Sequence, residues 1–172
     1  MYRYRPETQD RSELSRRTTS AIGLLSRLYL GWRPDTGPLA LGISRLDGWL
    51  QEEVLDWNKA KSLSKNSRRR DLYFSTTTGA YRRSLYFDYY AILLLHHCGG
   101  SAWQRSFPPL RDFLVETQAS GQGNSRPHEK GSWLFEDEYL NKGGRLLNTV
   151  LALLILETPY RYLPLYQMEQ PM

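Results

Sequence analysis

His96, His97 and Cys98 stand in a row, the densest run of metal-ligand types in the chain, and Asp88 and His128 are further candidates for a zinc set. Zinc needs three or four nitrogen, sulfur or oxygen donors converging on one point. Consecutive residues on a helix point in different directions, so this triplet cannot converge by itself. The spacing favours a helix end with a packed His97 and a buried free thiol. Glu136-Asp137-Glu138 gathers three carboxyl groups, but after a turn, where solvent keeps carboxylates ionised and poorly acidic. The expectation there is a solvated loop. His128-Glu129 beside Arg126 has the composition of an acid–base pair, within a Gly- and Ser-rich stretch that reads as loop. No nucleophile-elbow context surrounds any serine, so nucleophilic hydrolysis has no support.

Aromatic residues offer a different chemistry. Tyr86, Tyr89, Tyr90, Trp103 and Tyr139 could line an apolar chamber that stabilises cations or holds a hydrocarbon. Twelve tyrosines and five tryptophans in 172 residues also serve as core filling, the reading that rings favour by their bulk. The chain carries a formal net charge of +5. Much of the excess lies in Arg3, Arg5, Arg11, Arg16 and Arg17, and in residues 59–70. Arg68, Arg69 and Arg70 are the group that would meet phosphate on nucleic acid or on an anionic membrane. A charge run by itself more often marks a solvated face.

Helices must position these groups. Thr18, Thr19 or Ser20 can cap a first helix bearing Ala21, Leu25, Leu28, Tyr29 and Trp32, closed by Gly31 and Pro34. Pro38 opens a second, with Leu39, Ile43, Leu46 and Leu50 on one face. Residues 52–82 lose the period, and the expectation is a mobile insertion between hairpins, with room for one helical turn near 54–59. A third helix spans about 84–97, with Tyr86, Tyr89, Tyr90, Leu93, Leu94 and His97 on one face, and stops at Gly99-Gly100. Pro108-Pro109 should interrupt the next helix, which carries Leu110, Phe113, Leu114 and Thr117. Residues 121–130 are a polar loop. A last helix over about 145–157 is apolar on all sides and is expected to be buried on all sides. Pro159 and Pro164 should hold residues 160–166 out of helix. The fold class is therefore all-α, built from short-looped antiparallel helical hairpins in one domain.

Cys98 is the single cysteine, which excludes an intramolecular disulfide framework. The start of the chain lacks an apolar segment of the signal-peptide kind, and 150–156 is too short to span a bilayer. A cytoplasmic protein is the expectation.

The stretch 90–100, the run Arg111-Asp112-Phe113-Leu114-Val115-Glu116-Thr117-Gln118 and the later Gly131-Ser132-Trp133 resemble repeats of the terpenoid cyclase and protein prenyltransferase superfamily. Squalene–hopene cyclase-like proteins have a similar glutamine-to-tryptophan signature. Gly143-Gly144-Arg145-Leu146 and the ending 160–166 are similar to bacterial proteins built from prenyltransferase/squalene oxidase repeats. The resemblance covers about 18–166 outside the 52–82 stretch. It implies an α/α toroid, here partial, because five helices are too few to close the family's double ring. It implies that Gln118 bonds backbone at the next helix terminus and that Trp133 packs against it, although Gln118 and Gly131 are further apart than in the family. The family's Asp-x-Asp-Asp acid motif and its Asp-Asp-x-x-Asp magnesium motif are both missing. The expectation is thus a non-catalytic or degenerate helical module that binds a protein partner or a second copy, with no cofactor. The alternative is a protein that binds or transforms isoprenoids.

The expected domain layout is a basic leader at 1–17, the helical domain at 18–166 and a tail at 167–172.

Overall fold

The structure, a computed structural model, describes residues 13–64, 67–123, 125–137 and 143–165. The described part is all-α: five helices, α1 (Glu13–Tyr29), α2 (Gly37–Ser62), α3 (Leu85–Cys98), α4 (Gly100–Thr117) and α5 (Gly144–Arg161), with two short 3-10 turns, Arg68–Leu72 and Pro127–Glu129. None of the described helices is long and apolar enough to cross a membrane.

The centre is α3. Phe87 and every residue from Ala91 to Cys98 are buried, and α1, α2, α4 and α5 all pack against it. A helix that is apolar on every side needs neighbours on every side, and α3 has them. Ser84 caps it, its hydroxyl accepting from Phe87 N at 3.3 Å. Gly99 closes it at φ 66°, a conformation open to glycine, so that α4 starts at once.

Several expectations are corrected. The helix expected to be sunk in the core, α5, buries only Asn148, Leu151, Ala152, Ile155 and Thr158. Leu146, Val150 and Leu153 face outward. Helix α5 also runs through Pro159 to Arg161, because proline removes one amide donor without forbidding the last turn of a helix. Helix α1 starts before the expected Thr18–Ser20 cap; Thr19 Oγ1 bonds back to Arg16 O at 3.3 Å instead. Tyr29 and Trp32, placed on its inner face by spacing, are exposed at its end.

The break expected at residue 52 is absent. Helix α2 continues to Ser62, carried by Gln, Glu, Leu, Ala and Lys, all strong helix formers. Its anchors thin to Trp57 and Ala60, too sparse to register as a stripe. Trp57 packs edge-on to Tyr81 and Phe113, with centroids 4.9 and 5.1 Å away. Residues 67–84 are then fastened by a Phe74–Tyr81 antiparallel bridge and an Arg82–Glu136 parallel bridge.

Pro108 and Pro109 lie inside an unbroken α4. Proline at 109 strips the carbonyl of Arg105 of its helical donor. Gln51 Nε2, from α2, donates to that carbonyl at 3.4 Å and to Ser106 Oγ at 3.2 Å. Asp47 completes the strap, accepting from Arg105 Nη2 at 2.6 Å and Ser106 Oγ at 2.7 Å. A neighbouring helix thus repairs what the proline removes.

The deepest charges are Arg83 and Asp88. Arg83 Nε and Nη2 donate to the two carboxylate oxygens of Asp88 at 2.7 and 3.3 Å, and both side chains are 1% exposed. Breaking one half leaves the other charge uncompensated, which costs about 3–5 kcal/mol. Chemical denaturation should therefore show Arg83→Met and Asp88→Leu each losing that much, while the double variant loses far less than the sum. Additive losses would show that the two side chains act independently.

Candidate functional site

The glutamine–tryptophan element ties α4 to α5. Gln118 is the C-cap of α4, and its Nε2 donates to Gly131 O at 3.0 Å. Ala119 N donates to Ser132 O at 2.9 Å and Gly131 N to Ala119 O at 2.8 Å. These bonds bring the two ends of the long loop together, so its length does not separate Gln118 from Trp133. The amide of Gln118 reaches the loop end at Gly131 rather than the start of α5. Trp133 supplies the link to the helices. It is 2% exposed, its indole Nε1 donates to Leu114 O at 2.7 Å, and its backbone N donates to Thr149 Oγ1 of α5 at 3.2 Å. Leu114 O is one of the last-turn carbonyls that a helix cannot satisfy internally.

The aromatic set divides. Tyr86, Tyr89 and Tyr90 form one group on α3, with centroids 5.0 Å apart for both the 86–90 and 89–90 pairs. Burial raises the Tyr90 hydroxyl to about 12, and that of Tyr89 also to about 12, where Tyr162 adds a hydrogen bond. Trp103 belongs to a second group, stacked on Phe107 at 4.4 Å and edge-on to His96 at 4.8 Å. These rings are half-buried and pack against the core and one another. Tyr139 lies outside the described residues.

His96, His97 and Cys98 go separate ways. His96 Nε2 donates to Tyr162 O at 2.8 Å. His97 Nε2 meets the Tyr29 hydroxyl at 3.0 Å, and burial, with His96 next, lowers its pKa. Burial pushes the Cys98 thiol up to about 12, a poor thiolate and a poor nucleophile. Among the described residues, no three His, Cys, Asp or Glu side chains form a group that could hold a metal ion. His128 is exposed on its 3-10 turn. Its neighbour Glu129 accepts from Arg126 N at 2.9 Å and pairs with Arg145 at 3.2 Å, so it braces the loop against α5. Arg68 and Arg69 are exposed, while Arg70 is half-buried with its guanidinium 4.0 Å over Phe74.

Residue-by-residue reading missed a buried charged cluster. Asp137, expected in a solvated loop, is 2% exposed; Glu138 lies outside the described residues. Burial next to the 81–83 backbone overrides the loop-like composition, because Glu136 N donates to Tyr81 O at 2.8 Å and Arg83 N to Glu136 O at 3.1 Å. Asp88, the Arg83 guanidinium and Glu53 from α2 interact electrostatically in the same region. Arg83 also lies 4.3 Å over the ring of Phe113. The available signal was Asp88, a lone acid in an otherwise apolar helix, five residues after Arg83.

Glu53 is the member with chemical range. Burial raises its carboxyl from 4.5 to about 7; Asp88 and Asp56 push the same way, against Arg83 and Arg17. Arg17 Nη1 stands 3.7 Å from its Oε1. A carboxyl that titrates near neutrality is suited to give and take protons.

No family model, curated protein or solved structure matches this chain.

Two outcomes follow. Trp133→Ala should cost about 3–5 kcal/mol, and Trp133→Phe less, about 1–3, since it keeps packing but leaves the Leu114 carbonyl only the longer 3.4 Å contact from Thr117 Oγ1; equal losses in urea titrations would deny the hydrogen bond a role. Glu53 has its folded pKa above its free value, so its contribution is full below pH 4.5 and is lost as pH rises through about 7. Relative to Glu53→Gln, the native protein should therefore lose up to about 3 kcal/mol between those limits, and parallel stability–pH curves would contradict this.

Proposed function

We propose that this chain is a non-catalytic, terpenoid-cyclase-like helical module, a partial α/α toroid whose role is assembly. The observation that carries the reading is the outer face of α5. Leu146, Val150, Leu153, Glu157 and Tyr160 are exposed along it at alternating four- and three-residue steps, Leu146 at 77% and Tyr160 at 90%. That is the spacing of a helix seam. Burying such leucines is worth about 2 kcal/mol each, so leaving them in water is costly unless another surface covers them. Stacked helical hairpins share this property: each unit buries its face only against a neighbour. A second copy of the chain is the occupant proposed, because an α/α ring requires more hairpins than the five described helices make.

Partner binding also agrees with the chemistry of the interior. The aromatic residues fill space against each other, and the thiol and imidazoles are engaged in packing. The second reading, a protein that binds or transforms isoprenoids, rests on Glu53, whose near-neutral carboxyl shares a region with Tyr81, Trp57 and Phe113.

Light scattering should give a mass of at least twice 20.1 kDa for the native chain, and the monomer mass for Leu146→Glu/Leu153→Glu with helicity unchanged. A native monomer at high micromolar concentration would remove the self-assembly reading. Product formed from squalene or farnesyl diphosphate, and lost in Glu53→Gln, would put the second reading in its place.

A further inference from the structure

Residues 67–82 form a small knob between α2 and α3 that shares no residue with the exposed seam of α5. It carries four arginines, Arg68, Arg69, Arg70 and Arg82, against one acid, Asp71. Three of the chain's five excess positive charges therefore sit in it. Its backbone is fixed in several places. Ser67 Oγ accepts from Arg69 N at 3.3 Å and starts the 3-10 turn Arg68–Leu72. Ser75 Oγ accepts from Thr77 N and Thr78 N at 3.3 and 3.2 Å. Arg82 N donates to Tyr73 O at 2.7 Å, which brings Arg82 back beside the end of the 3-10 turn. Tyr81 roots the knob in the core, 6% exposed and edge-on to Trp57.

Arg68, Arg69 and Arg82 are exposed. Arg70 is half-buried on the ring of Phe74, a contact that orders the side chain and keeps its charge. Among the described residues, no carboxylate forms an ion pair with any of the four. Glu136, bridged to Arg82 through the backbone, accepts with its carboxylate from Thr78 Oγ1 at 3.1 Å. Like charges gathered on one short segment repel, and an anionic surface relieves that repulsion.

Leu72 is the second observation. It is 71% exposed. Side chains three residues apart eclipse in a 3-10 turn, so Leu72 stands on the same side as Arg69. A large apolar side chain in water beside arginines suits the boundary of a bilayer, where leucine meets acyl chain and guanidinium meets phosphate. Nucleic acid binding of this kind asks instead for rings free to stack on bases. Here Tyr73 and Phe74 are half-buried, and Phe74 is engaged by Arg70 and Tyr81. Behind the 3-10 turn lies an open hollow of about 440 Å³, lined by Ser67, Arg68, Arg70, Asp71 and Thr76 among others. It has room for a headgroup phosphate.

We propose that the 67–82 knob docks this protein on an anionic lipid bilayer. The four arginines take headgroup phosphates, and Leu72 dips among the acyl chains. Each arginine tightens attachment to such a surface only about fivefold, so docking is reversible and sensitive to salt.

Co-sedimentation of the full chain with phosphatidylcholine vesicles, with and without phosphatidylglycerol, tests this. Binding is expected only where phosphatidylglycerol is present, and it should fall as salt rises. Arg68→Gln/Arg69→Gln should weaken it about 25-fold, two steps of about fivefold. Leu72→Ser should weaken it about tenfold. All three positions are exposed, so the melting temperatures of these variants should equal that of the native protein. Arg33→Gln/Arg111→Gln removes the same net charge from exposed arginines elsewhere and should change binding less than about twofold. Absence of binding to the anionic vesicles overturns the proposal. So does binding that Leu72→Ser or Arg68→Gln/Arg69→Gln leaves unchanged, or that Arg33→Gln/Arg111→Gln lowers equally. Retention on single-stranded RNA by a protein that ignores the vesicles overturns it too, and assigns the arginines to nucleic acid.

Discussion

One ion pair sets the terms for the rest of this fold. Arg83 and Asp88 are both shut away from water, and moving charges into such a place is affordable only when each finds its counter-charge with good geometry. That requirement fixes the connection ahead of α3. Arg83 must enter beneath α2 and lie on Phe113 of α4, and its backbone must pair with Glu136. Residues from α2, α3, α4 and the 133–137 strip therefore share one constraint. Hydrophobic contacts around them are numerous but forgiving of small shifts, whereas a two-toothed guanidinium–carboxylate contact is not. Registry of the helices is the natural product of such a pair.

The clasp at Trp133 solves a related problem close by, at the Leu114 carbonyl in the last turn of α4. A helix terminus leaves carbonyls without donors, and the indole reaches one of them from a strip that has no helix of its own. Gln118 closes the loop that delivers Trp133, so it acts on the geometry of the chain rather than on the helix it caps. Asp47, Gln51 and Ser106 do comparable work where Pro109 empties the Arg105 carbonyl. In all three places a polar side chain serves backbone or charge that the core cannot serve.

The sequence made the helices legible where apolar residues recur, and failed where they do not. Leu39, Ile43, Leu46 and Leu50 announced α2, but Trp57 and Ala60 were too widely spaced to show that it continues, so the eleven helical residues 52–62 passed for part of an insertion. Pro108-Pro109 read as a break because the rule about proline is local, while the remedy, Gln51, lies more than fifty residues away. The same limitation hid the charged cluster. Asp88 and Asp137 are ordinary acids by type, and only the path of 81–83 past 136 buries them together. The aromatic residues were identifiable as core-sized rings, yet nothing in their spacing told that Trp103 would side with Phe107 and His96 rather than with the tyrosines of α3.

The difference in burial between α3 and α5 bears most directly on function. Both segments carry leucines on most of their sides, so composition alone does not say which is enclosed. Topology decides: α3 sits in the middle of the chain and acquires four helical neighbours, whereas α5, the last described helix, packs mainly on α3 and keeps a bare side. An apolar circumference is thus a demand for neighbours, and a chain can meet that demand from within itself or from outside. For α3 it is met from within. Leu146 is 77% exposed, and Val150 and Leu153 keep 42% and 45% of their surface in water, outside the core around Leu151, Ala152 and Ile155. Their exposed apolar surface is what the proposed assembly rests on, and that asymmetry between two leucine-rich helices is the reason to look for function at a surface.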